Sequence, residues 1–464
     1  MMYKKLDEKD FKKLREIFGK ENVFVGNEIA EEYSKDEMGM IQAYPEARVL
    51  AEDKYQISKL MEYASLMKFP VTVRGAGTGL VGACVPTKGG VLLDMTKMNK
   101  IIELDKENTV LVVEPGVMLL DIAEYVEKEG LFYAPDPGEK TATIGGNISH
   151  NAGGMRAIKY GVTGDWIRGL EVVLADGTIM KTGGKVVKNS TGYPLKQLFI
   201  GTEGTLGIIV EATLKLTSLP KFSASLLVPF ETTKEAVKAA PELLLRHVTP
   251  TALEYFDETS IKYSSEFLGK SIPHNDYKAY LLLSYDGTNQ AALNHDIEVA
   301  SQICLDLGAL DVYLIDTQER KKSIWDVRGA FLEAIKASTT EMDEIDVVLP
   351  RTHIVDYLAF AREVSKDVGL RMPYFGHVGD GNLHIYFCRD DLEREVFLER
   401  LDKAFDIMYD KAFSYGGLVS GEHGIGAAKK KYMYRLLEGK PIELMKGIKK
   451  VFDPLNILNP DKVL

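Results

Sequence analysis

Between residues 36 and 218, short β-branched runs are punctuated by glycine: FPVTVRGAG, GGVLLDMTKM, NTVLVVEPG, LEVVLADGTIM and GTLGIIVEATLKL. Each run is long enough for one strand, and glycine closes it with a turn. The stretch reads as strands joined by turns, with one clear helix at LLDIAEYVEKEG. Glycine density drops after Leu219 and the pattern changes. Amphipathic segments such as TKEAVKAAPELLLRHV, ALNHDIEVASQICLDLG and THIVDYLAFAREVSKDVG then alternate with KFSASLLVPF, KAYLLLSYDG and DVVLPR. That alternation predicts an α+β region, a largely antiparallel sheet with helices on one face. Residues 1–35 read as an N-terminal helix with a short extension. The end of the chain reads as a long helix, a glycine loop and a closing helix.

The chain has 464 residues, enough for two or three domains, and 45 % of them are apolar. It contains no apolar run long enough to span a bilayer. The opening MMYKKLDEKDFKKLREIFGK is charged and lacks the apolar core of a signal peptide. Cys84, Cys304 and Cys388 are far apart and form no CxxC pair. They argue for a reducing compartment, the cytoplasm, and against a disulfide scaffold or an iron–sulfur cluster. A net charge of −11 with interspersed signs does not favour nucleic acid or anionic lipid.

Two glycine loops carry chemistry in the first half. A predicted strand runs into Gly75-Ala76-Gly77-Thr78-Gly79, a spacing that lets backbone N–H groups approach phosphate oxygens. The plain alternative is a glycine turn with no ligand. A nicotinamide-type Rossmann fingerprint would need a helix straight after the loop. Pro86, Gly89, Gly90 and another strand follow instead, so that reading is rejected, although Asp94 stands near the position of its ribose acid. The second loop, PDPGEKTATIGGNISHNAGG over 135–154, sets two diglycines beside Thr141, Thr143, Asn147, Ser149 and Asn151. It would make a poor core element. It would make a good wall around a large, flat, polar-edged ligand.

Residues 374–384 read YFGHVGDGNLH and residues 420–426 read SGEHGIG. His377 and His384 flank the turn VGDGN. An odd separation in an unbroken strand would put them on opposite faces, but the turn can fold both imidazoles toward one point. With Glu422 they make a ligand set of two histidines and a carboxylate, which leaves positions open for substrate on Zn²⁺, Mn²⁺ or Fe²⁺. Each histidine taken alone reads as a structural residue. Three of the chain's eight histidines in two glycine-rich motifs favour the ligand reading. His423 stands next to Glu422, within reach of a metal-bound hydroxyl, and is the candidate general base. Its alternative role is to hydrogen-bond its own loop.

RGAGTGL, PDPGEKTATIGGNISHNAGG, NSTGYPLKQLFIGTEGTLGIIVEATLKL, HVGDGNLH and GEHGIG occur here in this order. In order and spacing the chain resembles the FAD-dependent D-2-hydroxyacid dehydrogenases of the vanillyl-alcohol-oxidase type, from about Tyr44 onward. That group includes D-lactate dehydrogenases, the catalytic subunit of glycolate oxidase and D-2-hydroxyglutarate dehydrogenase. The resemblance implies an α+β fold: a two-part FAD-binding domain over 36–218 and a substrate or cap domain over 219–410 with a largely antiparallel sheet. Residues 411–464 would pack back on the FAD domain. It implies that the loop from Arg74 through Gly75, Ala76, Gly77, Thr78 and Gly79 cradles the pyrophosphate. Pro137, Gly138, Thr141, Thr143, Gly145, Gly146, Asn147, Asn151, Gly153 and Gly154 would line the isoalloxazine and ribityl chain. Gly161, Glu203, Gly204, Ile208 and Ile209 would complete the adenine side. Some relatives tether the flavin through a histidine in the first loop; none stands there in this chain, so the FAD is expected to be noncovalent.

The same resemblance assigns His377, His384 and Glu422 to the metal, proton abstraction to His423 and the substrate carboxylate to Arg328, read at a helix start. Relatives specific for a dicarboxylate carry a threonine, a lysine and an asparagine where Leu332, Glu344 and Tyr386 stand here. These departures favour a small 2-hydroxy monocarboxylate such as D-lactate over 2-hydroxyglutarate. With no second redox motif in the chain, reduced FAD needs an external acceptor, and an electron-transferring flavoprotein is the expectation. The rival readings are a non-catalytic FAD subunit and an alkylglycerone-phosphate synthase, a transferase on the same fold.

Overall fold

The computed structural model describes residues 3–270, 272 and 276–464. The chain forms two compact units. The first comprises residues up to Gly153, then Val162–Leu219 and Glu422–Leu464; the second comprises Gly154–Gly161 and Pro220–Gly421.

The first unit holds two sheets. One is four-stranded, in the order Val23–Val25, Ala47–Leu50, Val91–Asp94, Val71–Arg74. Its last three strands are parallel, with Val73 opposite Leu93 and Val49 opposite Leu93. The other is five-stranded and antiparallel, in the order Ile101–Asp105, Val110–Val113, Ile208–Lys215, Ile167–Val173, Ile179–Gly183. The strands expected from the glycine-bounded runs are therefore present, and so is the helix, at Leu119–Glu127. The N-terminal residues are not a separate extension. Helix Glu8–Phe18, N-capped by Asp7, buries Leu14 and Phe18 in the core of this unit beside Leu60, Val71 and Val91. Burying such side chains contributes roughly 1.5–3 kcal/mol each, which ties the helix down.

The second unit is built on one seven-stranded sheet. Its order is Tyr313–Ile315, Phe222–Phe230, Ala279–Gly287, Ala252–Asp257, Tyr374–His377, Asn382–Cys388, Met342–Val348. Every pairing is antiparallel. Helices cover both faces, not one. Phe256, Tyr280, Leu282 and Phe375 face one layer, where they pack with Ile261, Val327, Phe331 and Ile335 of helices Glu258–Leu268, Gln318–Gly329 and Phe331–Ala337. Tyr255 and Tyr374 alternate to the other face, where Thr233 and Arg362 bond their hydroxyls from helices Thr233–Leu245 and Ile354–Val368. Buried strands of this kind carry apolar residues on both sides, so alternation is a poor guide to how many helical layers they need.

The expected boundary at 410/411 lies instead at 421/422. Helix Arg394–Ser414 buries Phe397, Leu401 and Met408 within the second unit, and Leu418 bridges Val348. Gly154–Gly161 also leaves the first unit. The reason is packing: Ile158 occupies the space beside Gly379, and Lys159 and Tyr160 both bond Asp286. Gly154, expected beside the isoalloxazine and ribityl chain, and Gly161, expected on the adenine side, are the two ends of this excursion.

Candidate active site

In the first unit the glycine loops draw together by close backbone approach. After Arg74 the chain turns through Gly75–Gly79 with no helix before Val91–Asp94, so the helix that a Rossmann fingerprint would need is missing there. Asp94 is no ribose acid, because Arg48 holds it at 2.7 Å. A Cβ on Gly75 would stand 2.2 Å from Thr143 Oγ1. Thr143 N-caps helix Ile144–His150, accepting from Gly146 N, and Asn147 Nδ2 donates back to Thr143 O at 3.1 Å. Gly145 is pressed against Pro115, where a Cβ would lie 2.6 Å from a ring carbon. Asn151 ends the helix in the left-handed region (φ 53°) and accepts from Gly164 N. Gly153 approaches Glu422, whose Oε2 would be 2.8 Å from an added Cβ.

Several expected flavin contacts have other duties. The Arg74 guanidinium donates to Lys35 O at 2.7 Å and Glu32 O at 3.0 Å, beneath Gly77. It supports the loop from beneath, against Gly77. The Glu203 carboxylate accepts from Ile425 N at 2.7 Å and Gly426 N at 2.8 Å, so it holds the C-terminal glycine loop. Glu203 and Gly204 both have positive φ, which makes that turn tight. Ile208 packs in the core of the unit, and Ile209 pairs with Val172. Thr141 is exposed and bonds Glu139, Gly138 is exposed with open space where a Cβ would stand, and Pro137 is buried. His150 was missed by motif reading. Its Nδ1 lies 3.0 Å from Gly146 O, while its Nε2 is buried with no hydrogen-bond partner among the described residues, 4.0 Å from where a Gly79 Cβ would be. Walls that exclude a Cβ and one orphaned buried nitrogen suit a large polar ligand such as FAD.

In the second unit the hairpin Tyr374–His377/Asn382–Cys388 sets Phe375 opposite His384 and His377 opposite Asn382. His377 and His384 are thus diagonal neighbours on one face, with ring centroids 5.1 Å apart. The turn does what the motif required. Gly381 takes φ 92°, and a Cβ there would stand 2.1 Å from Leu349 O. Both imidazoles are buried.

Glu254 was invisible in the motifs. It lies on Ala252–Asp257, is fully buried, and accepts from His377 Nδ1 at 2.7 Å and from Arg328 Nε at 2.8 Å. Arg328 Nη2 lies 2.5 Å from the same carboxylate. Burial alone would push Glu254 up; His377 and the Arg328 charge hold it below the ordinary carboxylate range. Arg328 lies in the last turn of helix Gln318–Gly329, not at a helix start, with its guanidinium 4.5 Å over the Phe375 ring. Leu332 packs against the same cluster. Two buried imidazoles beside a paired arginine form a donor set that fits a divalent cation and a carboxylate. In the first unit, His423 Nε2 lies 3.4 Å from Glu422 Oε1.

Comparison with known proteins agrees with this architecture. The family described as FAD linked oxidases, C-terminal domain, matches residues 219–463, and the FAD binding domain family matches residues 45–183. The chain belongs to the FAD-linked oxidases. This FAD-linked oxidase is 44 % identical to a D-lactate dehydrogenase of Anaerostipes hadrus, over 99 % of this chain and 98 % of the relative. It is 37 % identical to the glycolate oxidase subunit GlcD of Bacillus subtilis, over 98 % and 97 %. Among solved structures, p-cresol methylhydroxylase with substrate bound matches at a TM-score of 0.80 and 20 % identity, covering 100 % of this chain and 98 % of that one. The expected fold, of the vanillyl-alcohol-oxidase type, is thereby shown. FAD is the cofactor of this oxidoreductase, and the matched FAD binding domain spans residues 45–183. Among the described residues no helix is long and apolar enough to cross a membrane.

Proposed function

We propose that this FAD-linked oxidase dehydrogenates a small D-2-hydroxy monocarboxylate, D-lactate foremost, to the 2-keto acid. The observation that carries the reading is the buried group Arg328, His377 and His384 on one face of the second unit's sheet. The substrate carboxylate lies on Arg328, whose Nη1 edge is not spent on Glu254. His423 takes the proton of the 2-hydroxyl, and FAD supplies the hydride acceptor. His377, His384 and Glu422 would hold a divalent ion (Zn, Mn or Fe), which would supply a positive charge that lowers the pKa of a hydroxyl. The acceptor of the electrons is an external protein, an electron-transferring flavoprotein, and the three free cysteines suit a reducing compartment, the cytoplasm.

Anaerobic titration with D-lactate, L-lactate, glycolate and D-2-hydroxyglutarate tests the substrate. Bleaching of the flavin band by D-lactate at the lowest concentration is expected; preferential bleaching by glycolate would move the chain to that activity. His423→Ala should keep its FAD and lose D-lactate reduction by at least about a hundredfold. Prolonged chelation should abolish turnover, and Zn²⁺, Mn²⁺ or Fe²⁺ should restore it. Mixing the reduced enzyme with an electron-transferring flavoprotein should reoxidise its flavin.

A further inference from the structure

The geometry points to Glu254 as a positioning residue that fixes the tautomer of His377 and aims Arg328 with one carboxylate, and this rests on the metal and substrate reading above. The register places it. Tyr255 faces Gly376 and Phe256 faces Phe375, so the same antiparallel pairing carried one residue further sets Glu254 opposite His377. A carboxylate at 0 % exposure persists where charge and hydrogen bonds compensate it. Here Oε1 takes the His377 Nδ1 proton and Oε2 takes two donors of Arg328.

Each partner is constrained in consequence. An ionised carboxylate only accepts, so His377 must carry its proton on Nδ1, and Nε2 is then the nitrogen with the lone pair. Arg328 has its Nε edge fixed, which leaves Nη1 and the outer Nη2 proton as a fork for a carboxylate. A buried carboxylate behind a ligating imidazole raises its basicity and holds its ring plane, and loss of such a partner typically costs about 10–100-fold in metal affinity.

Glu254→Gln separates this from mere packing. Glutamine has one acceptor and one NH₂. Arg328 has only donors, so it claims the acceptor, and the NH₂ turns to His377 Nδ1. The imidazole must then accept at Nδ1 and carry its proton on Nε2, which blocks that nitrogen as a ligand. Glu254→Asp keeps an anionic acceptor and keeps the Nδ1–H tautomer even where packing suffers.

The test uses the full-length, FAD-loaded enzyme labelled with ¹⁵N-histidine and stripped of metal, with His377 assigned by its loss in His377→Gln. Long-range ¹H–¹⁵N spectra should show His377 protonated on Nδ1 in the wild type and in Glu254→Asp, and on Nε2 in Glu254→Gln. Zn²⁺ affinity, measured by competition with a chromophoric chelator, should fall at least tenfold in Glu254→Gln and recover in part in Glu254→Asp. Wild-type His377 protonated on Nε2, or Zn²⁺ affinity within twofold of wild type in Glu254→Gln, would overturn the proposal. If chelation leaves D-lactate turnover unchanged, the metal reading fails on its own, and the tautomer spectra still decide the role of Glu254.

Discussion

Tyr386 and Glu344 are register partners on neighbouring antiparallel strands, and the phenol donates to the buried carboxylate. Burial, then the Glu344 charge, pushes the Tyr386 hydroxyl well above its ordinary value, so it stays a donor. These are two of the positions at which dicarboxylate-specific relatives carry an asparagine and a lysine. The departures seen separately in sequence are one coupled pair. A second carboxylate brought near Glu344 would meet a like charge in a dry environment. The ratio of kcat/KM for D-lactate over D-2-hydroxyglutarate should exceed about a hundred, which needs about 2.7 kcal/mol of discrimination. Glu344→Gln should narrow that ratio. A wild type that takes both acids equally would show that this pair does not face the substrate.

Asp346 anchors the approach to the second motif. It is fully buried and accepts from Asn382 Nδ2 at 2.7 Å, Ser420 Oγ at 2.6 Å and Gly421 N at 3.2 Å. Glu422 is the next residue along the chain. In Asp346→Asn one of these donors must face an NH₂ group. The cost is about 2 kcal/mol for a lost hydrogen bond to a charged group. We expect a lower thermal midpoint, retained FAD, and D-lactate turnover reduced at least tenfold through the displaced 420–422 segment. Unchanged turnover at reduced stability would limit Asp346 to a structural role.

What the sequence discloses and what it hides follow from how each feature is encoded. The turn at Gly381 and the His377–His384 spacing were legible because a tight turn needs particular residues at fixed offsets. Glu254 and Asp346 sit inside ALEYFD and MDEIDVV, where an acid in a strand reads as a solvent-facing position. Only the sheet order, which brings Ala252–Asp257 beside Tyr374–His377, turns the first inward onto a histidine. A signal was present: Glu254 stands among Leu253, Tyr255 and Phe256, a run too apolar on both sides for an exposed strand. Arg74 and Glu203 show the converse limit. They flank glycine loops, and sequence cannot say whether a charged side chain beside such a loop serves a ligand or the loop's own backbone.

The Gly75–Thr143 approach makes a steric prediction. A Cβ on Gly75 would lie 2.2 Å from Thr143 Oγ1, so Gly75→Ala must rotate the threonine and cost the helix its cap. Loss of such a cap is worth about 1 kcal/mol, and the loop would shift as well. Purified Gly75→Ala should carry less than about half the wild-type FAD per protein, read by absorbance. Adding Thr143→Ala should restore part of it by removing the obstructing oxygen, so the two changes should be non-additive. Acid precipitation of the wild type should release the yellow flavin into the supernatant, as noncovalent binding requires. Flavin retained in the pellet would point to a covalent tether instead.

Lys462, near the end of the chain, gives the stability of the protein a defined pH dependence. It is 1 % exposed, and its Nζ donates to Thr87 Oγ1 at 2.9 Å and Pro460 O at 3.4 Å. Burial drives its pKa down to about 8 from the ordinary 10.5, against the partial support of Asp461, Cys84 and Glu203. The folded state therefore gives up this proton first. Between about pH 8 and 10.5 the unfolded chain binds more protons, so stability rises with pH by about 1.4 kcal/mol per unit from this group. Below pH 8 the lysine is charged in both states and the full penalty applies, up to about 3 kcal/mol over the window. Other lysines, tyrosines and cysteines titrate there too, so the quantity to measure is a difference. Urea midpoints of the wild type and Lys462→Met should be compared from pH 7 to pH 10. The wild type should gain on Lys462→Met as pH rises, most steeply above pH 8. A difference that stays flat across that range would mean that Lys462 keeps its proton in the folded protein.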